Sequence, residues 1–212
     1  MDRGIFISMT GAKAALFKQD RISQNIANAN TPGYKAVASQ TMAVHLNADK
    51  YNSRAFAVET SDNTSYAEGS LNKTDNPLNI AVKNDAWFVV KDGERELLTR
   101  NGSFTLSPEG ILVASDGKPV ASEGGVVSIP SGYQIDISSN GEVYATSNEG
   151  RQVLHVTIDT PEVYSGYLEA SNVNTSSELI DMISTARLFD MHMKIISTFK
   201  ENDESANKVI QL

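Results

Sequence analysis

From Asn174 to Leu212 the chain holds neither glycine nor proline, and its apolar residues return at helical spacing. Met182, Ala186, Phe189, Met193, Ile196 and Phe199 form one apolar stripe, which Leu179 and Ile183 widen at its start. Ser184, Arg187, Lys194, Ser197 and Glu201 occupy the other face. Thr175-Ser176-Ser177-Glu178 reads as a capping box, with the Thr175 hydroxyl taking a free backbone N–H and Glu178 reaching back to the cap. The stretch therefore predicts one long amphipathic helix rising ~1.5 Å per residue. A stripe of that length requires a cover.

The opposite end of the chain offers one. Ile5, Met9, Ala12 and Leu16, then Ile22, Ile26 and Ala29, form a second interrupted stripe on a helix predicted over residues 3–28. Two such helices suggest an antiparallel coiled pair with a domain between them, and an ordinary two-helix layer on a globular domain is the alternative. Burial between only two helices is a marginal return for ordering so much backbone. Further copies of the same arrangement would tip that balance, so the ends are expected to be loose in a monomer and ordered in an assembly.

The middle of the chain changes character. Residues 36–78 are polar, rich in Ser, Asn, Thr and Asp, and read either as a linker or as a segment folded along the helices or a neighbour. From about residue 79 short β-rich runs follow, including Trp87-Phe88-Val89-Val90, Ile111-Leu112-Val113, Tyr133–Ile137 and Val153–Ile158. Turn signals separate them at Asp92-Gly93, Asn101-Gly102, Glu109-Gly110, Asp116-Gly117, Asn140-Gly141 and Glu149-Gly150. The fold class expected is α+β, with a mostly antiparallel β domain inserted between the two long terminal helices. Trp87 and Phe88 are expected to anchor its core. Between the first helix and the polar segment, Pro32-Gly33 fits the central positions of a type II turn, with Gly33 supplying positive φ.

Charge and residue usage exclude several functions. A net charge of −8 argues against nucleic-acid binding. The absence of cysteine removes disulfides, thiolate nucleophiles and cysteine metal sites. His45, His155 and His192 fit no metal-ligand spacing, and neighbouring helical residues such as Met191, His192 and Met193 point about 100° apart and cannot easily converge on an ion. No phosphate-binding loop, dinucleotide fingerprint or nucleophile elbow occurs. No catalytic residue, cofactor or metal is expected. The first residues do not form a cleavable signal, and no stretch approaches the ~20 apolar residues of a membrane span, so no membrane insertion is expected.

Three ordered motifs then narrow the reading. Asn28-Ala29-Asn30-Thr31-Pro32-Gly33-Tyr34-Lys35 follows Ile22-Ser23-Gln24-Asn25-Ile26-Ala27 near the start. Leu78–Val82, Trp87-Phe88, Thr99–Phe104 and Gly110-Ile111-Leu112 lie in the middle, and Gly166-Tyr167-Leu168-Glu169-Ala170-Ser171-Asn172-Val173 precedes the last helix. Together they resemble the bacterial flagellar axial proteins, the rod and hook proteins. The Met1-Asp2-Arg3 start, single β domain and short length are most similar to the proximal rod members, with the distal rod members second.

The resemblance implies a structural subunit of the basal-body rod, the periplasmic drive shaft that transmits torque and conducts exported subunits. Terminal helices of many copies would line a tube, with β domains outside. It implies residues 1–35 as helix and exit motif, 36–78 as extended segment, 79–165 as β domain, and 166–212 as motif and long helix. Ile5, Met9, Leu16, Ile22 and Ile26 would face Met182, Ala186, Phe189, Met193, Ile196 and Phe199 in the helical core. Asn28, Thr31, Pro32, Gly33 and Tyr34, with Gly166, Tyr167, Leu168, Glu169, Ser171, Asn172 and Val173, are the family-motif residues. The implied partners are other copies, neighbouring rod proteins, and the flagellum's own type III export apparatus, which needs no cleaved signal. A soluble β-domain ligand-binding module on a helical dimerisation stalk is the competing reading.

Overall fold

The structure, a computed structural model, describes residues 4–45, 55–83, 86–122, 125–129, 133–147, 150–157 and 162–210. The Met1-Asp2-Arg3 start, the first residue of the turn read at Glu149-Gly150, the strand end at Ile158 and the chain end at Leu212 lie outside the described residues. The chain divides into two units: Met1–Ala27 with Ala36–Ser65 and Val173–Leu212, and Asn28–Lys35 with Tyr66–Asn172.

The first unit holds helix α1 (Gly4–Ala27), strands β1 (Val37–His45) and β2 (Ala55–Thr64), and helix α2 (Thr175–Ile210). The residues that α1 and α2 turn towards each other are not simply the bulkiest. On α1, Ser8, Ala12, Ala15, Ile22 and Asn25 are buried, small or polar side chains for the most part. On α2, Met182, Thr185, Phe189, His192, Ile196 and Phe199 turn inward by alternating three- and four-residue steps. The Phe199 ring lies over Gly4, the His192 ring over Gly11, and Asn25 bonds to Glu178. Contacts thus fall along α2 as they rise along α1.

Three details of the helices differ from expectation. Asn174, not Thr175, caps α2: its Oδ1 accepts the Ser177 N–H at 3.2 Å and its carbonyl the Glu178 N–H at 3.0 Å. An asparagine preceding the first turn outcompetes a threonine within it. Glu178 instead accepts a hydrogen bond from Asn25 at 3.0 Å. Leu179 and Ile183, read as widening the stripe, are exposed. Within the polar segment, β1 and β2 pair as an antiparallel hairpin with a register shift between Gln40 and Thr41, and both strands pack on α1.

The second unit is built from short antiparallel ladders. β3 (Leu71–Lys73) pairs with β15 (Tyr167–Glu169), and β4 (Ile80–Val82) pairs with β14 (Val163–Ser165). β5 (Phe88–Asp92) and β6 (Arg95–Thr99) form a hairpin through Gly93. β7 (Thr105–Leu106) pairs with β8 (Leu112–Val113), and β9 (Ala121–Ser122) with β10 (Gly125–Val126). β11 (Gln134–Ile137), β12 (Glu142–Ser147) and β13 (Gly150–Thr157) make a three-stranded meander. Such small ladders are unstable alone. One core underlies most of them, with Ile80, Phe88, Phe104, Leu112, Val120, Val127, Ile129 and Val143 fully enclosed and the Phe88 and Phe104 rings edge to face at 4.9 Å. Phe88 is the expected anchor. Trp87 is not: it stands just before β5, half-exposed, with its ring over the Arg100 guanidinium.

Candidate functional site

The exit turn after α1 has the geometry its sequence demands. The Tyr34 N–H bonds to the Thr31 carbonyl at 3.2 Å across Pro32-Gly33, with Gly33 at φ 69°. Asn28 braces it by accepting the Thr31 N–H at 3.1 Å and the Thr31 hydroxyl at 3.2 Å. Glycine is required twice over at this position. A β-carbon on Gly33 would stand 2.3 Å from the Arg100 carbonyl carbon, and the left-handed backbone disfavours any side chain. The close approach lets the Gly33 N–H donate to the Glu169 carbonyl at 2.8 Å.

Glu169 is the centre of this site. Its side chain is 3% exposed at the end of β15. Oε1 accepts from Lys35 Nζ at 2.7 Å and from the Gly69 N–H at 2.9 Å, while Oε2 accepts from Arg100 Nε at 2.9 Å. The two cations are themselves placed by carbonyls: Lys35 donates to Ala67 at 2.8 Å and Arg100 to Ala86 at 2.9 Å. Burial pushes the Glu169 carboxyl up, but the Lys35 ammonium, the Gly69 N–H and the Arg100 guanidinium outweigh it and hold the group below its ordinary value of 4.5. Trp87 covers the Arg100 guanidinium, 5.7 Å from ring centre to charge, and Tyr66 meets the Trp87 ring edge to face at 6.1 Å.

The other motif residues complete the clasp. The Asn172 N–H bonds to the Tyr34 carbonyl at 3.3 Å, and its side chain donates to Ala67 at 2.9 Å. Gly166 donates to the Asn79 carbonyl and accepts from the Thr74 N–H, each at 2.8 Å. Tyr167 packs edge to face on Tyr164, Leu168 and Ser171 are half-buried, and Val173 begins the return to the first unit. Stretches around residues 33, 68, 100 and 169 are thereby locked to one another. The Asn-Thr-Pro-Gly-Tyr-Lys, Thr-Arg-Asn-Gly and Tyr-Leu-Glu-Ala-Ser-Asn motifs, far apart in the chain, meet at one carboxylate. Lys35, Gly69 and Arg100 acquire their role only through this meeting, and for Gly69 no sequence pattern announces it.

The helix residues singled out from the sequence divide into two sets. Ile22 is buried, and Ile5, Ile26, Met182, Ala186, Phe189, Ile196 and Phe199 are half-buried between α1, α2 and the hairpin. Met9, Leu16 and Met193 are not: they are 58%, 46% and 46% exposed. The inward positions beside them belong to Ser8, Ala15 and His192. Small residues on α1 make room for α2 side chains, the Phe199 ring over Gly4 and the His192 ring over Gly11. Asn25, also missed, is buried and gives its amide to the Val37 carbonyl at 2.9 Å and to Glu178, while accepting the Val37 N–H at 3.0 Å. Among the described residues no group of carboxylates and histidines could hold a metal ion.

Comparison with known proteins follows the same three blocks. Residues 5–35 match the family described as flagella basal body rod protein, residues 81–145 the flagellar hook protein FlgE/F/G D1 domain, and residues 164–209 the flagellar basal body rod FlgEFG protein C-terminal family. The flagellar basal-body rod protein FlgF of Buchnera aphidicola subsp. Baizongia pistaciae is 30% identical over 96% of this chain and 96% of its own length. The chain belongs to the flagellar basal-body rod protein family. FlgF of Salmonella typhimurium and of Escherichia coli K12 are each 29% identical over the full length of both proteins. A FlgG, from Buchnera aphidicola subsp. Schizaphis graminum, is 27% identical over 98% of both. The chain is thus a FlgF-like structural subunit of the rod and not an enzyme. That membership sets aside the stalked binding module.

Proposed function

We propose that the two terminal helices are the part of this rod subunit that assembles, pairing as an antiparallel coiled coil within each copy and packing against helices of other copies. The alternating three- and four-residue steps of the inward residues on α2 support a coiled-coil seam. Buried Asn25 against Glu178 would fix its register at some cost in stability. The observation that carries the reading is a second apolar surface. Beyond the seam, α1 exposes Phe6, Met9 and Leu16, and α2 exposes Leu179, Ile180, Ile183, Leu188, Met191 and Ile195. Large apolar side chains repeated along helices that already have a partner mark a further interface.

The partners are other copies and neighbouring rod proteins, including those of the FlgG type. The subunits travel through the flagellar export apparatus and form a tube in the periplasm that carries torque and passes later subunits. Deleting residues 190–212, which removes Met191, Ile195 and Phe199, is expected to abolish motility and incorporation into basal bodies, read by swimming assay and by immunoblot of purified basal bodies. A motile cell with normal incorporation of the truncated chain would refute the reading.

A further inference from the structure

The second unit is an insertion in the first: the chain enters it at Asn28, leaves it at Asn172, and makes an excursion to the first unit over residues 36–65. These passages are tied to one another by hydrogen bonds. Entry meets exit where the Gly33 N–H donates to the Glu169 carbonyl at 2.8 Å and the Asn172 N–H to the Tyr34 carbonyl at 3.3 Å. The excursion is drawn together at its own ends, where the Ser65 N–H donates to the Ala36 carbonyl at 2.8 Å. Its return is fixed to entry and exit alike, because the Ala67 carbonyl accepts from Lys35 Nζ at 2.8 Å and from the Asn172 side chain at 2.9 Å.

The Glu169 carboxylate closes the same set with charge, joining Lys35 of the entry to Gly69 and Arg100. Hydrogen bonds between charged partners are shorter and stronger than neutral ones. Directly before the exit, β15 pairs with β3, and the Ala170 N–H donates to the Ser70 carbonyl at 2.8 Å. Phe88, Leu112 and Val143 of the core lie between entry and exit in the sequence and take no part in the clasp. A cross-link between the two ends of an inserted stretch carries any pull on those ends until it breaks. The core comes under tension only afterwards.

We propose that the clasp around Glu169 is a mechanical neck, which passes tension from the α1 side of the chain to the α2 side and shields the β core from it. The inference rests on the rod reading above, in which other copies hold the helices, so that a pull on them arrives at the two ends of the inserted unit. It gives the buried carboxylate and its cations a role under load that is separate from their share in equilibrium stability.

The chain has no cysteine, so the purified full chain can carry handles at Asp2→Cys and Gln211→Cys and be stretched in optical tweezers. The helices are expected to open first, at low force. One dominant force peak should follow, and residues 28–172 should lengthen only after it, by roughly 50 nm at full extension. Glu169→Gln is expected to lower that peak, whereas Val143→Ala, which trims a fully buried core side chain outside the clasp, should leave it unchanged. Asn172→Ala, which removes the side-chain bond to Ala67, is expected to lower the peak as well and serves where Glu169→Gln does not fold. A peak lowered as much by Val143→Ala as by the clasp variants, or stepwise lengthening of residues 28–172 before it, would overturn the neck. Either result leaves the rod reading standing, because that reading falls only to a motile cell carrying the truncated chain.

Discussion

At Glu169 a single carboxylate faces two cations and a backbone N–H in a site closed to water. Removing one member of such a set strands the others, which costs about 3–5 kcal/mol. Glu169→Gln, which keeps the shape but not the charge, is therefore expected to lower the stability of the second unit by that amount. The single tryptophan, Trp87, lies on Arg100 and makes its fluorescence the natural probe in urea. The effect has a defined acid limit. A carboxyl held below 4.5 in the folded state contributes fully above that value and loses its contribution as pH falls through its lower folded value. The stability gap between wild type and Glu169→Gln should be constant above about pH 5 and close on acidification. Gly33→Ala makes a second test. It adds steric overlap with Arg100 to backbone strain, and should cost clearly more than Gly93→Ala, where φ is 65° but nothing stands within 4 Å. Only the strain of about 1–2 kcal/mol applies to the latter.

The helices show what sequence could and could not reveal at the scale of elements. Both are where periodicity put them, and the β domain follows its turn signals at Asp92-Gly93, Asp116-Gly117 and Asn140-Gly141. Within one copy the inward positions beside Met9, Leu16 and Met193 go to Ser8, Ala15 and His192, because hydrophobicity marks surfaces that want cover without saying which cover comes from the same chain. The β1–β2 hairpin was hidden for a related reason: its strands are polar and largely exposed, so no alternating pattern betrays them. At the start of α2 the consequence is measurable. Asn174→Ala should remove about 1 kcal/mol from the helix, seen as reduced far-UV helicity and an earlier thermal transition. Thr175→Ala should change little, because the Thr175 hydroxyl is not the cap.

For the whole molecule the two units differ in how complete they are. The second has a buried core and a clasp that binds residues 33–35 and 169–172 into it. The first spends much of its apolar surface on the outside, along Phe6, Met9 and Leu16 and along Leu179, Ile180, Ile183, Met191 and Ile195. That imbalance separates a folding module from an assembling one, and it could be read from the two ends of the sequence only as an unmet need for cover. Hydrogen–deuterium exchange on the purified full chain at low concentration, compared with the same chain in basal bodies, tests it most directly. The account predicts fast exchange in residues 4–27 and 175–210 in dilute solution, strong protection of both in basal bodies, and protection around Phe88, Leu112 and Glu169 in either state. Helices already fully protected in dilute solution, and unchanged by assembly, would contradict it.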